Sequence, residues 1–449
     1  LGTSAEPNSL PLTLDGAIAT SLDRNETIVT LRAGEPVAQA MLEVAKRYPF
    51  NPFAKFEVLP YARDPYGNLL AVRNSVYVMQ TLELAHQQRY REASATAALN
   101  QVRWNVVAGE LTNVATTEKL FFTALYQRDL RDLARRAASL NQELAADVER
   151  RFQAALSKPG EEITARVSQR QTQKQLALAE ANARVALLTL ARQLNMPTDR
   201  PYELVGRLES FQWGRIDGLV APEGMPPSPQ ATIQLAESLA DERPDVRAAQ
   251  AATNVAQANA ELAQANTVQN LQIGPYYERD EFETLFFGVT GQMTLPIWDS
   301  GRPLARQREA ETVQRIVALN ALKTRARVEV QTAIERYERA RLLAEKERPN
   351  LSKSISEDLA RVKRQFDAGQ ADILNVFATQ TALMQEQRAY LDLLNELAQA
   401  AADVTLAAGL PPARIVTEKG ADGSSVPVPP PAPGAVPSAA ASPATPARI

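Results

Sequence analysis

Phe287, Val289, Gly291, Met293, Leu295 and Ile297 fall on one face of an extended segment, and Gly288, Thr290, Gln292 and Thr294 on the other. A period of two held over about ten residues predicts a strand long enough to cross a bilayer within a barrel. A weaker copy lies earlier, where Val76, Val78, Leu82 and Leu84 share a face with Gln80. Strands are therefore predicted over 54–61 and 73–84, and again over 271–279 and 285–297, as two hairpins.

Helical patterning fills most of the rest. Residues 85–156 contain no proline, and at ~1.5 Å per residue they would run about 108 Å. Residues 302–367 would run about 99 Å on the same rise. Pro303 lies in the first turn, where proline is tolerated, and Pro349 predicts a kink. Leu351, Ile355, Leu359, Val362 and Phe366 recur every three or four residues, an apolar seam for a coiled-coil partner. Shorter helices are predicted over 14–48, 161–194 and 231–268. The last two run about 51 and 57 Å, so together they match the first long helix in length.

These elements form an internal repeat of roughly 200 residues. Each half reads short helix, strand, turn, strand, very long helix, tip and returning helix. Leu22-Asp23-Arg24-Asn25-Glu26-Thr27-Ile28 aligns with Ala240-Asp241-Glu242-Arg243-Pro244-Asp245-Val246. Gln80-Thr81-Leu82-Glu83-Leu84 aligns with Met293-Thr294-Leu295-Pro296-Ile297, and Arg151-Phe152-Gln153-Ala154 with Gln365-Phe366-Asp367-Ala368. The first repeat spans 12–197 and the second 230–411. Between them 198–229 is a Pro/Gly-rich linker expected to bulge out near the middle of the helices. The tail, 412–449, is rich in Pro and Ala and has too little apolar content to pack, so it is expected to be disordered.

Composition narrows the chemistry. Lys+Arg 49 against Asp+Glu 52 leaves a net charge of −3, which removes any whole-chain case for nucleic acid. With no cysteine and one histidine, His86, disulfides, Cys/His metal sites and cysteine nucleophiles are excluded. No catalytic constellation converges, no Gly-rich phosphate loop is present, and no cofactor is expected. No run of about 20 apolar residues predicts a membrane helix. No signal peptide is visible; Leu1-Gly2-Thr3-Ser4 suits a processed or a trimmed start equally.

Four strands cannot close a barrel, and an open sheet edge is not tolerated in lipid. Two or three copies would close one. The residues now point further. Leu12-Thr13-Leu14 with Ala17-Ile18, Arg24-Asn25, Thr81-Leu82-Glu83-Leu84, Arg243-Pro244-Asp245-Val246-Arg247-Ala248-Ala249, Leu295-Pro296-Ile297-Trp298-Asp299, Phe366-Asp367-Ala368-Gly369 and Gly409-Leu410-Pro411 stand in order across 12–411. By their order, spacing and duplication the chain resembles the TolC-type outer-membrane efflux proteins, most closely the outer component of cobalt–zinc–cadmium resistance pumps. The resemblance implies a mostly α protein with a small β part. Its helices form a long antiparallel coiled-coil tunnel in the periplasm, and a homotrimer forms a twelve-stranded barrel in the outer membrane. It further implies docking to a periplasmic adaptor and, through it, to an inner-membrane pump.

Candidate residues follow from that frame. Phe152, Phe366 and Gly369 sit at the two helix tips, where the resemblance implies adaptor contact; Gly369 equally suits a helix C-cap. The first tip, Ala155-Leu156-Ser157-Lys158-Pro159-Gly160, is longer than the second, so the two present different surfaces. Relatives ring the tunnel entrance with acids just after the second tip. The matching positions here are Asn375 and Ala378, with Asp372 one turn earlier, so Asp372 and Asn375 are expected to line the entrance. An ordinary solvated helix face fits the same residues. Tyr77, Tyr276, Phe287 and Trp298 are expected in the aromatic girdle at the membrane interface. His86 reads as a strand-to-helix junction residue rather than a ligand. The leading reading is a passive export duct for heavy-metal cations. A duct for drugs or polypeptides, and a structural coiled-coil scaffold of the envelope, are the alternatives; the scaffold leaves the matched strand pairs unexplained.

Overall fold

The computed structural model describes residues 10–418 apart from 61, 62, 64, 70, 155–157, 198–201, 217–227 and 368–372. Between 348 and 374 side chains are described only at Arg361 and Arg364. In the first half the order is β1 (Leu10–Leu12), α1 (Leu14–Arg24), α2 (Glu26–Lys46), β2 (Phe53–Leu59), β3 (Arg73–Leu82), α3 (Gln87–Gln153) and α4 (Pro159–Gln193). Two short strands follow, β4 (Tyr202–Leu204) and β5 (Phe211–Trp213). The second half runs α5 (Pro229–Glu242), α6 (Pro244–Ala265), β6 (Leu271–Arg279), β7 (Leu285–Met293), α7 (Arg302–Asp367), α8 (Ile373–Ala408) and β8 (Val416–Glu418).

The predicted helix over 14–48 breaks at Asn25, whose Oδ1 accepts from the Thr27 amide at 3.0 Å and caps α2. Its Nδ2 donates to the Gln193 carbonyl at 2.9 Å and ties the break to the end of α4. The helix over 231–268 breaks at Arg243, because Pro244 disfavours helical backbone in the residue before it. The repeat alignment sets Asn25 opposite Arg243, so one interruption is made twice by different chemistry. β6 matches its expected range, and the other three long strands are shorter than their patterns. β2 stops before Pro60, which has no N–H to pair. β3 stops at Leu82 because the Glu83 amide donates to the Tyr48 hydroxyl at 3.1 Å. β7 stops at Met293, and beyond it the Ile297 amide bonds back to the Leu295 carbonyl at 2.9 Å in a tight turn. Gly301, at φ +71°, then starts α7. α7 is helical through Pro349; the seam from Leu351 to Phe366 falls among side chains outside the described ones.

α3 has 67 residues, about 100 Å of helix. It packs along α4 and α6 in turn and also against α1, α2 and α8, while α7 packs on α5, α6 and α8. α8 turns Leu391, Leu394, Leu397, Ala398, Ala401 and Val404 inward, and Ala398, Ala400, Ala401 and Ala402 are fully buried. Small side chains at helical spacing let long helices approach closely over many turns. The main core gathers Phe121, Phe122 and Leu125 of α3, Leu190 of α4, Ile334 and Tyr337 of α7 and Leu397 of α8.

The connection between the repeats does not bulge freely where it is described. Leu204, Leu208, Phe211 and Ile216 are buried in the main core. β4 pairs parallel with β1, and β5 antiparallel with β8. Polar clamps hold this segment. Arg128 donates to the Leu204 carbonyl at 2.7 Å, and Asp129 accepts from the Leu208 amide at 3.2 Å. The Tyr337 hydroxyl donates to the Gly214 carbonyl at 2.6 Å, and Glu338 accepts from the Ile216 amide at 3.4 Å while paired with buried Arg341. The beginning of the expected tail is also recruited: Ile415 and Val416 are buried in the same core. Two apolar residues at a strand's length suffice there, too few to register in the tail's composition. Residues 419–449 lie outside the described ones.

Glu118 sits in this packing with 0% exposure. Neither carboxylate oxygen has a hydrogen-bond partner. Burial pushes its pKa up to about 8; the Thr405 hydroxyl, near the carboxyl but outside hydrogen-bond geometry, and Lys119 pull the other way, and Asp403 adds to the rise. The folded chain therefore keeps a proton that the unfolded chain, titrating near 4.5, has released. Stability should be fullest below the unfolded value and decline as pH rises towards the folded one. The thermal midpoint of the helical signal is expected to fall between about pH 5 and pH 8. Glu118→Gln should flatten that decline and raise the midpoint at the alkaline end; an unchanged slope would show that Glu118 is not its source.

Candidate functional site

The four long strands form one antiparallel sheet in the order β2-β3-β6-β7. Its register sorts the side chains into transverse rows. On one face stand Ala54 beside Val78, Phe56 beside Val76, Val76 beside Tyr277, and Tyr277 beside Phe287, with Val289 and Met293 on the same side. This face is apolar and open: Phe56, Val58, Phe287 and Val289 are all exposed. The Tyr277 and Phe287 rings touch, with centroids 5.3 Å apart. On the other face one row reads Lys55–Tyr77–Tyr276–Gly288 and the next Glu57–Ser75–Glu278–Phe286. Thr81, Gln272, Thr290 and Gln292 extend that face, and Ser75, Met79 and Thr81 are buried on it. The polar face is thus the sheltered one.

The register divides the aromatics expected at the membrane interface between the two faces. Phe287 lies on the open apolar face, and Trp298 follows the end of β7 with 97% exposure. Tyr77 and Tyr276 instead share the sheltered polar face, stacked on each other at 5.7 Å and 18°. The signal was already in the chain, since Val76 and Val78 flank Tyr77 and period two turns it to the opposite side. The charged partners of these tyrosines were missed as well. Lys55 pairs with Glu57 and stands 5.5 Å above the Tyr77 ring, and Arg73 pairs with Glu278 at 2.7 Å.

Both outer strands of the sheet have an unpaired edge, and every residue of β2 is exposed. A long apolar edge without a bulge is a pairing surface. The helices below repeat the situation. Val37, Met41 and Val44 of α2 are exposed, as are Ile163, Val167, Leu178 and Val185 of α4. On α7, Val313, Val317 and Val328 are exposed. Chain order puts α2 below β2 and α7 below β7, so apolar stripes mark the same two flanks as the open edges.

The end of the body remote from the sheet gathers the tips. Phe152 closes α3 and is 36% exposed. α4 starts with Pro159, and Glu161 accepts from the Lys158 amide at 3.3 Å, with Glu161 and Glu162 in the first turn where the helix dipole favours acids. Asn375 is exposed in the first turn of α8. Its neighbours Val376 and Phe377 pack on Leu144 and Val148 of α3 and Ala165 of α4. Gly369 and Asp372 lie outside the described residues, as does the side chain of Phe366. His86 caps α3 in the left-handed region, φ 56°, without a side-chain hydrogen bond to the helix. Among the described residues no helix is long and apolar enough to cross a membrane.

Comparison with known proteins agrees with this architecture. Residues 235–410 match the family model described as outer membrane efflux protein. A stretch of 244 residues is 27% identical to the pyoverdine export outer membrane protein OpmQ of Pseudomonas putida, covering 52% of this chain and 48% of that one. The protein of the same name from Pseudomonas aeruginosa is 24% identical over 331 residues, 68% of this chain and 63% of that one. The matched stretch thus spans about half to under two thirds of these relatives. The outer membrane channel CmeC of Campylobacter jejuni superposes with a TM-score of 0.68 at 15% identity, over 91% of this chain and 87% of that one. At that identity the structure shows a shared fold. Residues 235–410 thus resemble outer membrane efflux proteins, the fold is shared with outer membrane channels, and these likenesses support a location in the cell outer membrane with a helical tunnel in the periplasm.

The two faces of the sheet make a prediction that separates them. An arginine on a barrel's lipid face costs roughly 2–4 kcal/mol near mid-membrane. Val289→Arg is therefore expected to reduce the amount recovered in outer membranes and its heat-modifiable gel mobility. Thr290→Arg, one residue away on the sheltered face, should leave both near wild type.

Proposed function

We propose that this chain is an outer membrane efflux protein, one of three identical chains that close into a single passive export duct. The sheet carries the reading: two unpaired edges bracket one apolar face and one polar face. Backbone groups on a bare edge have no partner in hydrocarbon, so the sheet must pair its β2 edge with the β7 edge of another copy. Three copies make twelve strands, within the even numbers that such barrels use. Two would make eight, and the preference for three rests on the family resemblance. The stripes on α2 and α4 would meet the stripe on α7 of the next chain, a head-to-tail contact that closes into a ring.

In this reading the tunnel docks on a periplasmic adaptor that links it to an inner-membrane pump. Phe152, Phe366 and Gly369 would meet the adaptor, and Asp372 and Asn375 would line the entrance. Phe287 and Trp298 would lie at the membrane interface. The pump supplies the energy, since the chain has no phosphate-binding loop.

Two cargo readings follow. The resemblance to metal-resistance pumps favours heavy-metal cations. The curated relatives are named for pyoverdine export, and that favours a small organic molecule of the siderophore class. We take the second as the better supported, because it rests on aligned relatives.

Light scattering of the detergent-extracted protein is expected to give the mass of three chains. Met41→Glu combined with Val317→Glu should shift it towards one chain while leaving the helical signal intact. A monomer that extracts without detergent would overturn the duct and favour the scaffold. A deletion strain that secretes less siderophore yet grows normally on zinc and cobalt would support the organic cargo; the opposite pattern would return the cargo to metal cations.

A further inference from the structure

The central row of the sheltered face is where two aromatic rings meet across neighbouring strands. Across the four strands it reads Lys55, Tyr77, Tyr276, Gly288. A barrel interior is ordinarily polar, and the flanking positions Ser75, Thr81, Gln272 and Thr290 follow that rule. The two rings are nearly parallel, 18° apart with centroids 5.7 Å apart, and both are only half-buried. Gly288 makes room for them. A Cβ at that position would lie 2.5 Å from Cε1 of Tyr276, so the ring lies across β7 where any other residue would push it away.

The charges beside the rings cancel. This face carries two cations and two anions on its strands, Lys55 with Glu57 and Arg73 with Glu278, and each is paired. The band therefore presents no net fixed charge with which to sort ions. What remains for a passing solute is aromatic surface. Lys55 over Tyr77 already shows that the platform takes a cation on a ring face.

We infer that Tyr77 and Tyr276 form a stacking station for planar aromatic solutes inside the barrel, with Gly288 as the residue that holds it open. This rests on the closed-barrel reading, in which the row recurs once per chain and rings the lumen. Stacking of this kind is weak, which suits a conduit: it slows a flat solute against the wall without retaining it. The class recognised is a planar ring system of either charge rather than a bare ion.

The test is single-channel recording of the full chain in planar bilayers. The probes are 1-methylquinolinium and naphthalene-2-sulfonate, set against the non-aromatic ions tetraethylammonium and methanesulfonate. Both planar probes are expected to give resolvable current blocks and both controls none. Tyr77→Leu with Tyr276→Leu should shorten the blocks by about two- to tenfold with open conductance little changed. Phe at both positions should preserve them. Gly288→Val should shorten them too, although both tyrosines remain. Blocks by one charge only, or blocks insensitive to all these changes, would overturn the station. Absence of any wild-type conductance would instead count against the barrel, so the two failures are distinguishable.

Discussion

The backbone groups along the free edges of β2 and β7 must all find partners before this sheet can sit in hydrocarbon. A single chain cannot supply them, because four strands twist too little to bring its own edges together. The requirement propagates downwards. In the proposed ring, joining β2 to the next chain's β7 would also set α2, which leads into β2, beside the next chain's α7, which follows β7. The exposed valines, Met41 and Ile163 would be covered in that ring, and their exposure in the single chain parallels the open edges of the sheet.

The helical body solves a different problem, that of keeping elements of about 100 Å in register without a thick core. Alanine at helical spacing on α8 brings backbones close, and one cluster of large side chains around Phe121, Phe122 and Tyr337 concentrates the apolar burial at mid-length. The connecting segment is fastened there by hydrogen bonds that Arg128 and Tyr337 donate to its carbonyls and that Asp129 and Glu338 accept from its amides. Glu118 belongs to the same packing but finds no partner, so it stays protonated rather than carry an unpaired charge where water is absent. The body is thereby pinned at its middle, and its tips project far from that point.

In the proposed duct the sheet's two faces would divide the labour. The open face offers methyl groups and the Tyr277–Phe287 contact, which suit acyl chains. The sheltered face offers hydroxyls, amides, self-cancelling ion pairs and one aromatic row. A wall without net charge has little to say about ion sign, which accords with a duct that leaves most of the selection to a pump and distinguishes solutes by shape and surface.

Much of this was legible in the order of residues alone. Long proline-free alanine-rich stretches can only be long helices, period two over ten residues can only be a two-faced strand, and the duplication of both showed a repeat. Even the break opposite Pro244 was written in that proline. What the chain could not show by itself were relations between distant segments. The contact of Tyr77 with Tyr276 exists only through the β3–β6 register, nearly 200 residues apart in sequence. Ile415 and Val416 were lost in a Pro/Ala-rich tail because two residues barely move a composition, yet they complete a core built by both halves of the chain and the segment between them. Glu118 reads as one more acid on a helix until α7 and α8 close over it. Local periodicity is a property of the chain; which face is sheltered, which acid is dry and which edge is left open depend on what the fold brings alongside, and that only the tertiary structure decided.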